Sequence, residues 1–414
     1  MPRKPRFIDI FCGAGGISQG LLDSGYKIKW AIDNNKETKL TFDYNHKIRM
    51  RLGDIRKIKS PKLGLEKKEL DLLIGGPPCP TFSLVGRTKI NSIEGRNVKT
   101  DERSFLYENF LNLVSFYEPK TFVMENVKGM MSAENEEGEF IVDIIQSQME
   151  DLGYSVSVQL LNAANYGVPQ HRERVFFIAN RHGFKNPEME KWETHRKPKN
   201  NNEKEMKMRT FSENGGSFPT FTKKAEKKPW NTVADALLDL PPLSPEGTVP
   251  PKTISEYIMP PLSEYQYWAR NNPTIDNWNK CKLYNHTCRG HNMRDLSIYK
   301  ILGEGVSWKI GDLPEYIQPY RTDIFSDKYK KQNPVEPSST IVAHLYKDGN
   351  MFIHPREARS LTVREVARLQ SFRDDFIFPV ARTHAYKQIG NAVPPLLAQA
   401  IGTAIKQEIL DVLG

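Results

Sequence analysis

The sequence predicts an α/β protein built on a doubly wound sheet, with a second, smaller and irregular domain after it. Three observations carry this. Short β-rich apolar runs alternate with helical segments from Arg6 to Ala179, the pattern of a sheet whose crossovers are helices. Glycines, prolines and single acidic residues cluster where those runs stop, at the edge where open sheets keep their sites. Beyond Arg181 the alternation is lost: residues 195–228 are rich in Lys, Asn and Pro, and proline recurs from Pro241 to Pro261, as in a separate unit or large insertion.

Arg6 to Phe11 reads as the first strand; Cys12-Gly13-Ala14-Gly15-Gly16 follows, and Ile17 to Ser24 is helical up to Gly25. Lys27 to Ile32 is a second strand closed by Asp33, and Lys36 to Asn45 a second helix. The apolar run Leu70 to Ile74 cannot continue through Gly75, Gly76, Pro77 and Pro78, so Cys79 stands at a strand's end, with Pro77, Pro78 and Pro80 fixing φ around it. Phe105 to Tyr117 is an amphipathic helix stopped by Pro119. Thr121 to Met124 is a strand, Phe140 to Leu152 a helix, and Ser155 to Leu161 and Arg174 to Ala179 two more strands. Residues 86–103 are polar and aperiodic and read as a long loop able to close over Cys79. Helical spacing returns at Thr362 to Phe372 and at Pro395 to Leu413, where Leu397, Ile401, Ile405 and Ile409 share one face. The expected division is residues 1–185, joined by 380–414, for the α/β unit and 186–379 for the second domain and hinge.

Lys and Arg number 59 against 50 Asp and Glu, a formal charge of +9, which suits a polyanionic partner. Four cysteines in 414 residues make no disulfide framework, and Met1 is followed by Pro-Arg-Lys-Pro-Arg rather than an apolar signal run. No stretch approaches the ~18 apolar residues of a membrane span. A reducing, cytoplasmic setting without membrane contact is expected. Tyr257, Tyr265, Tyr267, Trp268, Trp278 and Tyr284 lie among basic residues, either as a nucleic-acid surface or as the core of the second domain. Cys281, His286, Cys288 and His291 are close in sequence but lack the spacing of standard fingers, so no metal is expected.

Four constellations carry chemistry. In residues 11–16 glycines permit close backbone approach, and the following helix offers free N–H groups. Asp33, ending the next strand, can hold both hydroxyls of a ribose, and Asp54 can accept from an exocyclic amine. Together they point to an adenosine-containing cofactor. Phe122 to Val127 delivers Glu125 to the same edge as Cys79, and a carboxylate there is costly unless hydrogen-bonded or protonated. In Gln170-His171-Arg172-Glu173-Arg174, alternation puts Arg172 and Arg174 on one face. Gln388 to Pro395 reads as a turn into the last helix.

In this order, FIDIFCGAGG, GGPPCPTFS, MENV, QHRERVFFI, ARLQSF and QIGNAVPP resemble the DNA (cytosine-5) methyltransferase family of bacterial type. The likeness spans roughly Phe7 to Ala179 and Arg359 to Gly402. It implies a Rossmann-like, S-adenosylmethionine-dependent methyltransferase domain with an irregular target recognition domain. By the same resemblance Cys79 is the nucleophile and Glu125 the acid. Arg174 holds cytosine O2, and Arg172 supports the thiolate or a nearby phosphate. The S-adenosylmethionine pocket is lined by Phe11, Gly13, Gly15, Gly16, Asp33, Asp54, Ile55, Pro78, Asn391 and Val393. The partner implied is double-stranded DNA with its cytosine flipped out, met by a nucleoid-associated monomer, together with a cognate restriction or defence system. Two positions depart from the family pattern: Pro80 stands where Gln is usual and Asp33 where Glu is common. The long second domain and the absence of a Cys-Phe-Thr motif argue against a tRNA cytosine methyltransferase.

Overall fold

The computed structural model describes residues 3–58, 66–78, 106–199, 221–243, 255–271, 281–302, 309–319, 328–347 and 349–413. Cys79, Pro80, Trp278 and the loop expected at residues 86–103 lie outside them. Seven strands form one sheet: β1 (Arg6–Ile10), β2 (Lys27–Asp33), β3 (Arg51–Leu52), β4 (Leu72–Gly75), β5 (Thr121–Val127), β6 (Ser155–Asn162) and β7 (Glu173–Asn180), in the order β3-β2-β1-β4-β5-β7-β6. The first five run parallel, because each crossover contains enough chain to return over the sheet. Helices α1 (Gly16–Asp23), α2 (Lys36–Asn45), α3 (Leu106–Tyr117) and α4 (Ile141–Asp151) lie in the connections. β7 follows β6 after a short turn and runs antiparallel to β6 and β5.

Strand alternation assigns side chains to two cores. Ile8, Phe122, Met124 and Phe177 face α3 and α4, with Phe110, Val114 and Ile145. Phe7, Leu72, Val123 and Phe176 face the other way, into a core shared with the far half of the chain. The elements expected up to Ala179 are present within a few residues of their bounds. The main difference is at β5, which continues past Met124 to Val127, so Glu125 lies within the strand and pairs across from Phe176.

In the second half, short helices replace alternation: α5 (Val233–Leu237), α6 (Glu264–Ala269), α7 (Met293–Ile301), α8 (Val363–Leu369), α9 (Arg382–Asn391) and α10 (Pro395–Ile405). α8 is buried along its whole length although it carries Arg364, Glu365 and Arg368. Its charges are paired internally. Arg359 grips Glu365 in a bidentate pair at 2.8 and 2.7 Å. Arg368 meets Asp239 at 2.5 Å and Asp374 at 2.6 Å, and Arg270 meets Asp239 at 2.5 Å.

Around this network the aromatic residues settle as core. Tyr257, Tyr265 and Trp268 are buried. The Tyr257 hydroxyl bonds Asp374, the Arg270 guanidinium lies 3.7 Å from the centroid of the Tyr257 ring, and Tyr265 donates to the Arg368 carbonyl. The possibility that these three form a nucleic-acid surface is thereby corrected, because their faces and hydroxyls are used inside the protein. His286 lies between Thr362 Oγ1 and the Pro241 carbonyl, and His291 accepts the Ser360 N–H. Among the described residues no group of His, Cys, Asp and Glu is placed to hold a metal, and no helix is long and apolar enough to cross a membrane.

Asp239 is shared by two buried arginines, so its removal leaves both short of charge. Asp239→Ala is expected to cost about 3–5 kcal/mol. Urea unfolding followed by tryptophan fluorescence measures it, and a loss below about 1 kcal/mol would contradict the network's role.

Candidate active site

The carboxyl ends of β1, β2, β4 and β5 share one edge of the sheet. Phe11 leaves β1 with φ +60°, and Gly13 and Gly15 follow at +54° and +92°. The left-handed conformation is free for the glycines but strained for Phe11, whose ring packs against the α3/α4 core. The Cys12 N–H donates to the Ile32 carbonyl at 3.1 Å and the Gly13 N–H to Asp33 Oδ2 at 3.0 Å, tying the turn to the end of β2. A side chain at Gly15 would collide with the buried His46 ring, and one at Gly16 would stand 2.5 Å from the Val393 carbonyl. Beside Gly13 the space is open.

Several donors converge on Asp33. Oδ2 accepts Gly13 N–H and Oδ1 accepts Asn35 N–H at 2.9 Å. Thr38 Oγ1 stands 3.3 Å from Oδ1 and 2.7 Å from the Asn35 carbonyl. The Asn34 N–H also bears on this carboxylate. Asp54 differs: it caps the turn beginning at the buried Ile55, and Arg56 grips both its oxygens, with Nη2 2.7 Å from Oδ2. Val393 is buried against the glycine turn, and Asn391 ends α9 with its side chain exposed.

Across from β5, Arg174 of β7 places its Nε 3.0 Å from Glu125 Oε1. Gly76 leaves room for the other oxygen, since a Cβ there would stand 2.7 Å from Oε2. Burial pushes the Glu125 carboxyl above its ordinary range, while Arg174 and then Arg172 pull it back. The neighbouring Asn126 faces the other way, donating to the Pro77 carbonyl at 3.3 Å and accepting the Val127 N–H at 2.9 Å. It thus ties β5 to the Pro77-Pro78 step that leads into Cys79. Arg172 precedes β7 and is used differently from Arg174. It is fully buried, with Nη1 donating to the Ile341 carbonyl at 2.9 Å and Nη2 to the Gly390 carbonyl at 3.0 Å. Gln170 accepts the Ile341 N–H and donates to the Leu369 carbonyl and Gln370 Oε1.

Known proteins resemble this chain along almost its whole length. A family model described as C-5 cytosine-specific DNA methylase matches residues 5–407. The chain belongs to that family. It is 33% identical to M.OihORF3336P of Oceanobacillus iheyensis, named as a type II methyltransferase, over 98% of this chain and 96% of that one. The type II methyltransferase M.DdeI of Desulfomicrobium norvegicum is 32% identical over 96% and 88%. A crystal structure assigned as a DNA modification methyltransferase of an E. coli prophage shares the fold, with a TM-score of 0.69 at 23% identity, over 98% of this chain and 100% of that one.

The contacts made by several residues around this edge were not legible in the sequence. Asn126, Gln170 and His46 act through hydrogen bonds or ring contact that only the fold reveals. Asp9, in the middle of β1, is fully buried; Ser18 Oγ donates to Oδ2 at 2.6 Å, and Oδ1 has no partner among the described residues. Its place in an apolar strand was the available signal.

Burial lifts the Asp9 carboxyl from 3.8 to about 7. The folded methylase therefore binds this proton more tightly than the unfolded chain. The associated stability is full below about pH 4 and is lost as pH rises through about 7. Asp9→Asn removes that loss, so the variant is expected to melt higher than the parent at about pH 8 and no higher at about pH 4. Scanning fluorimetry across this range is the check, and a lower melting temperature at the alkaline end would overturn the assignment.

Proposed function

We propose that this methylase transfers the methyl group of S-adenosylmethionine to C5 of a flipped-out cytosine in double-stranded DNA, through a covalent bond between Cys79 and C6. The observation that carries the reading is Glu125: a buried carboxyl, raised in pKa, held by Arg174 on the strand beside the segment that leads into Cys79. The glycine turn and Asp33 fit the cofactor. Open space lies beside Gly13, and the Asp33 carboxylate at the end of β2 is the acceptor that ribose hydroxyls call for. Bound there, S-adenosylmethionine supplies an electrophilic methyl on a sulfonium.

The protein's part follows from the chemistry of the base. Cytosine C5 is too electron-poor to take a methyl directly, so the Cys79 thiolate adds to C6 and makes C5 enamine-like. Negative charge then develops toward N3. Glu125, whose pKa burial raises, hydrogen-bonds N3 and the exocyclic amine and stabilises that charge. Arg174 orients Glu125 and holds O2. After methylation the C5 proton leaves, the C6–S bond breaks with its electron pair returning to sulfur, and the base is released. A base inside the duplex stack is out of reach, hence the flipping. Arg172 is assigned as a positioning residue, because both its terminal nitrogens are engaged by the Ile341 and Gly390 carbonyls, while its buried Nε has no partner among the described residues. Asp54 would join the cofactor site only if Arg56 turns aside. Residues 186–379 are assigned to target recognition, and the type II names of the relatives support a restriction-modification or phage-defence role.

Cys79→Ser is expected to abolish both methyl transfer and covalent trapping on 5-fluorocytosine DNA, read as a shifted band on a denaturing gel. Retained trapping would place the nucleophile elsewhere. Glu125→Gln is expected to lower turnover roughly 10²–10³-fold while the calorimetric affinity for S-adenosylmethionine stays within about twofold. A defect confined to cofactor binding would contradict its assigned role.

A further inference from the structure

The segment 341–347 and helix α9 touch backbone to backbone. A Cβ at Gly390 would stand 2.5 Å from the Ala343 nitrogen and the Val342 carbonyl carbon. Arg172 holds both, at Ile341 and Gly390. Outward from this junction the two elements carry cations around one aromatic ring. Lys387 Nζ lies 4.1 Å from the Tyr346 ring centroid and Lys347 Nζ 5.8 Å, and the His344 ring flanks Tyr346 at 6.4 Å. Arg289 donates to the Lys347 carbonyl at 3.3 Å, and the fields of Arg382 and Arg289 both reach the Tyr386 hydroxyl beneath.

Lys347 and Arg382 are exposed, and Tyr346, Lys387 and Arg289 half-exposed. Among the described residues none of these four cations forms an ion pair with a carboxylate. Like charges gathered without an ion-paired carboxylate among the described residues favour an anionic partner, and ammonium groups resting near an aromatic ring keep a defined position. The two ammonium groups are at most about 10 Å apart, from their distances to the shared ring. One strand of a duplex presents a phosphate every ~3.4 Å of axis, so this span meets two or three of them. Lys387 is one helical turn from Asn391, about 6 Å along the axis, which sets the patch beside the site.

We propose that Lys347 and Lys387, held at Tyr346 with Arg289 and Arg382 beside them, form a sequence-independent clamp on the DNA sugar-phosphate backbone flanking the target base. The proposal rests on the DNA-methylase function above and adds the contact that sets duplex register relative to Arg172 and Glu125. Phosphate contacts of this kind position the protein without reading bases.

The test is fluorescence anisotropy of the full chain with a labelled duplex of fixed arbitrary sequence, from about 50 to about 300 mM KCl. In Lys347→Gln/Lys387→Gln the slope of log K against log salt is expected to become shallower by about 2, close to 0.9 per lost phosphate contact. Lys347→Arg/Lys387→Arg is expected to keep the parent slope, which separates charge from packing. Unchanged S-adenosylmethionine affinity by calorimetry shows that the Gln variant is folded. A parent that binds the duplex and a folded Gln variant of equal slope would overturn the clamp alone. A parent that binds no duplex would overturn the clamp together with the function it rests on.

Discussion

Arg172 is buried to 1% exposure, and its guanidinium meets the carbonyls of Ile341 and Gly390, so one side chain from the sheet edge fixes two distant segments of chain. Charge in an apolar interior costs several kcal/mol unless its donors are met. Burial pushes the Arg172 pKa well down, Arg174 adds to that, and Glu125 opposes both. Only the docked second half supplies the two carbonyls. The far segments must therefore seat correctly for this cation to be tolerated, and Gln170 repeats the demand through Ile341, Leu369 and Gln370. Docking of the second half and geometry at the site are in this way one constraint.

The same charge arithmetic reaches Glu125. Desolvation is the larger effect, with Arg174 and Arg172 set against it. An acid balanced in this way can share a proton with a base edge and withdraw it again, which suits a group whose proposed task is to meet charge that appears and disappears. Arg174 is anchored too, its Nη1 donating to the Glu173 carbonyl at 2.8 Å. The pair is held ready, without rearrangement at the moment of reaction.

How far the sequence could be read follows from where the stabilising partners lie. Up to Ala179 each element announces itself by its own period, and the sheet, its helices and the edge carrying Glu125 were legible. β3 was missed because two residues carry no period. α9 was missed because Arg382 to Asn391 has a weak apolar face, and its burial comes from segment 341–347. In α8 the helical spacing was legible, but the full burial of its three charged residues was not, because Arg359, Asp239 and Asp374 meet them from other segments. At the site, residue types identified Glu125 and Arg174, but the divergence of Arg172 from Arg174 depends on carbonyls about 170 and 220 residues away.

The glycine turn depends on distant chain as well. α1 follows it directly, and α10 crosses α1 so closely that a Cβ at Gly20 would stand 2.6 Å from the Gln399 nitrogen, and one at Gly402 the same distance from Leu21. Ser24 Oγ donates to the Gln399 carbonyl and the Tyr26 hydroxyl to the Gly402 carbonyl, both at 2.9 Å. Two glycines thus admit a contact that no larger residue would allow. The Val393 carbonyl lies over Gly16 at the mouth of the turn. Residues 11–16 consequently reach their final surroundings only when residues 393–402 have docked. Closing that long loop is entropically slow, so the glycine turn should be among the last parts of the fold to become rigid.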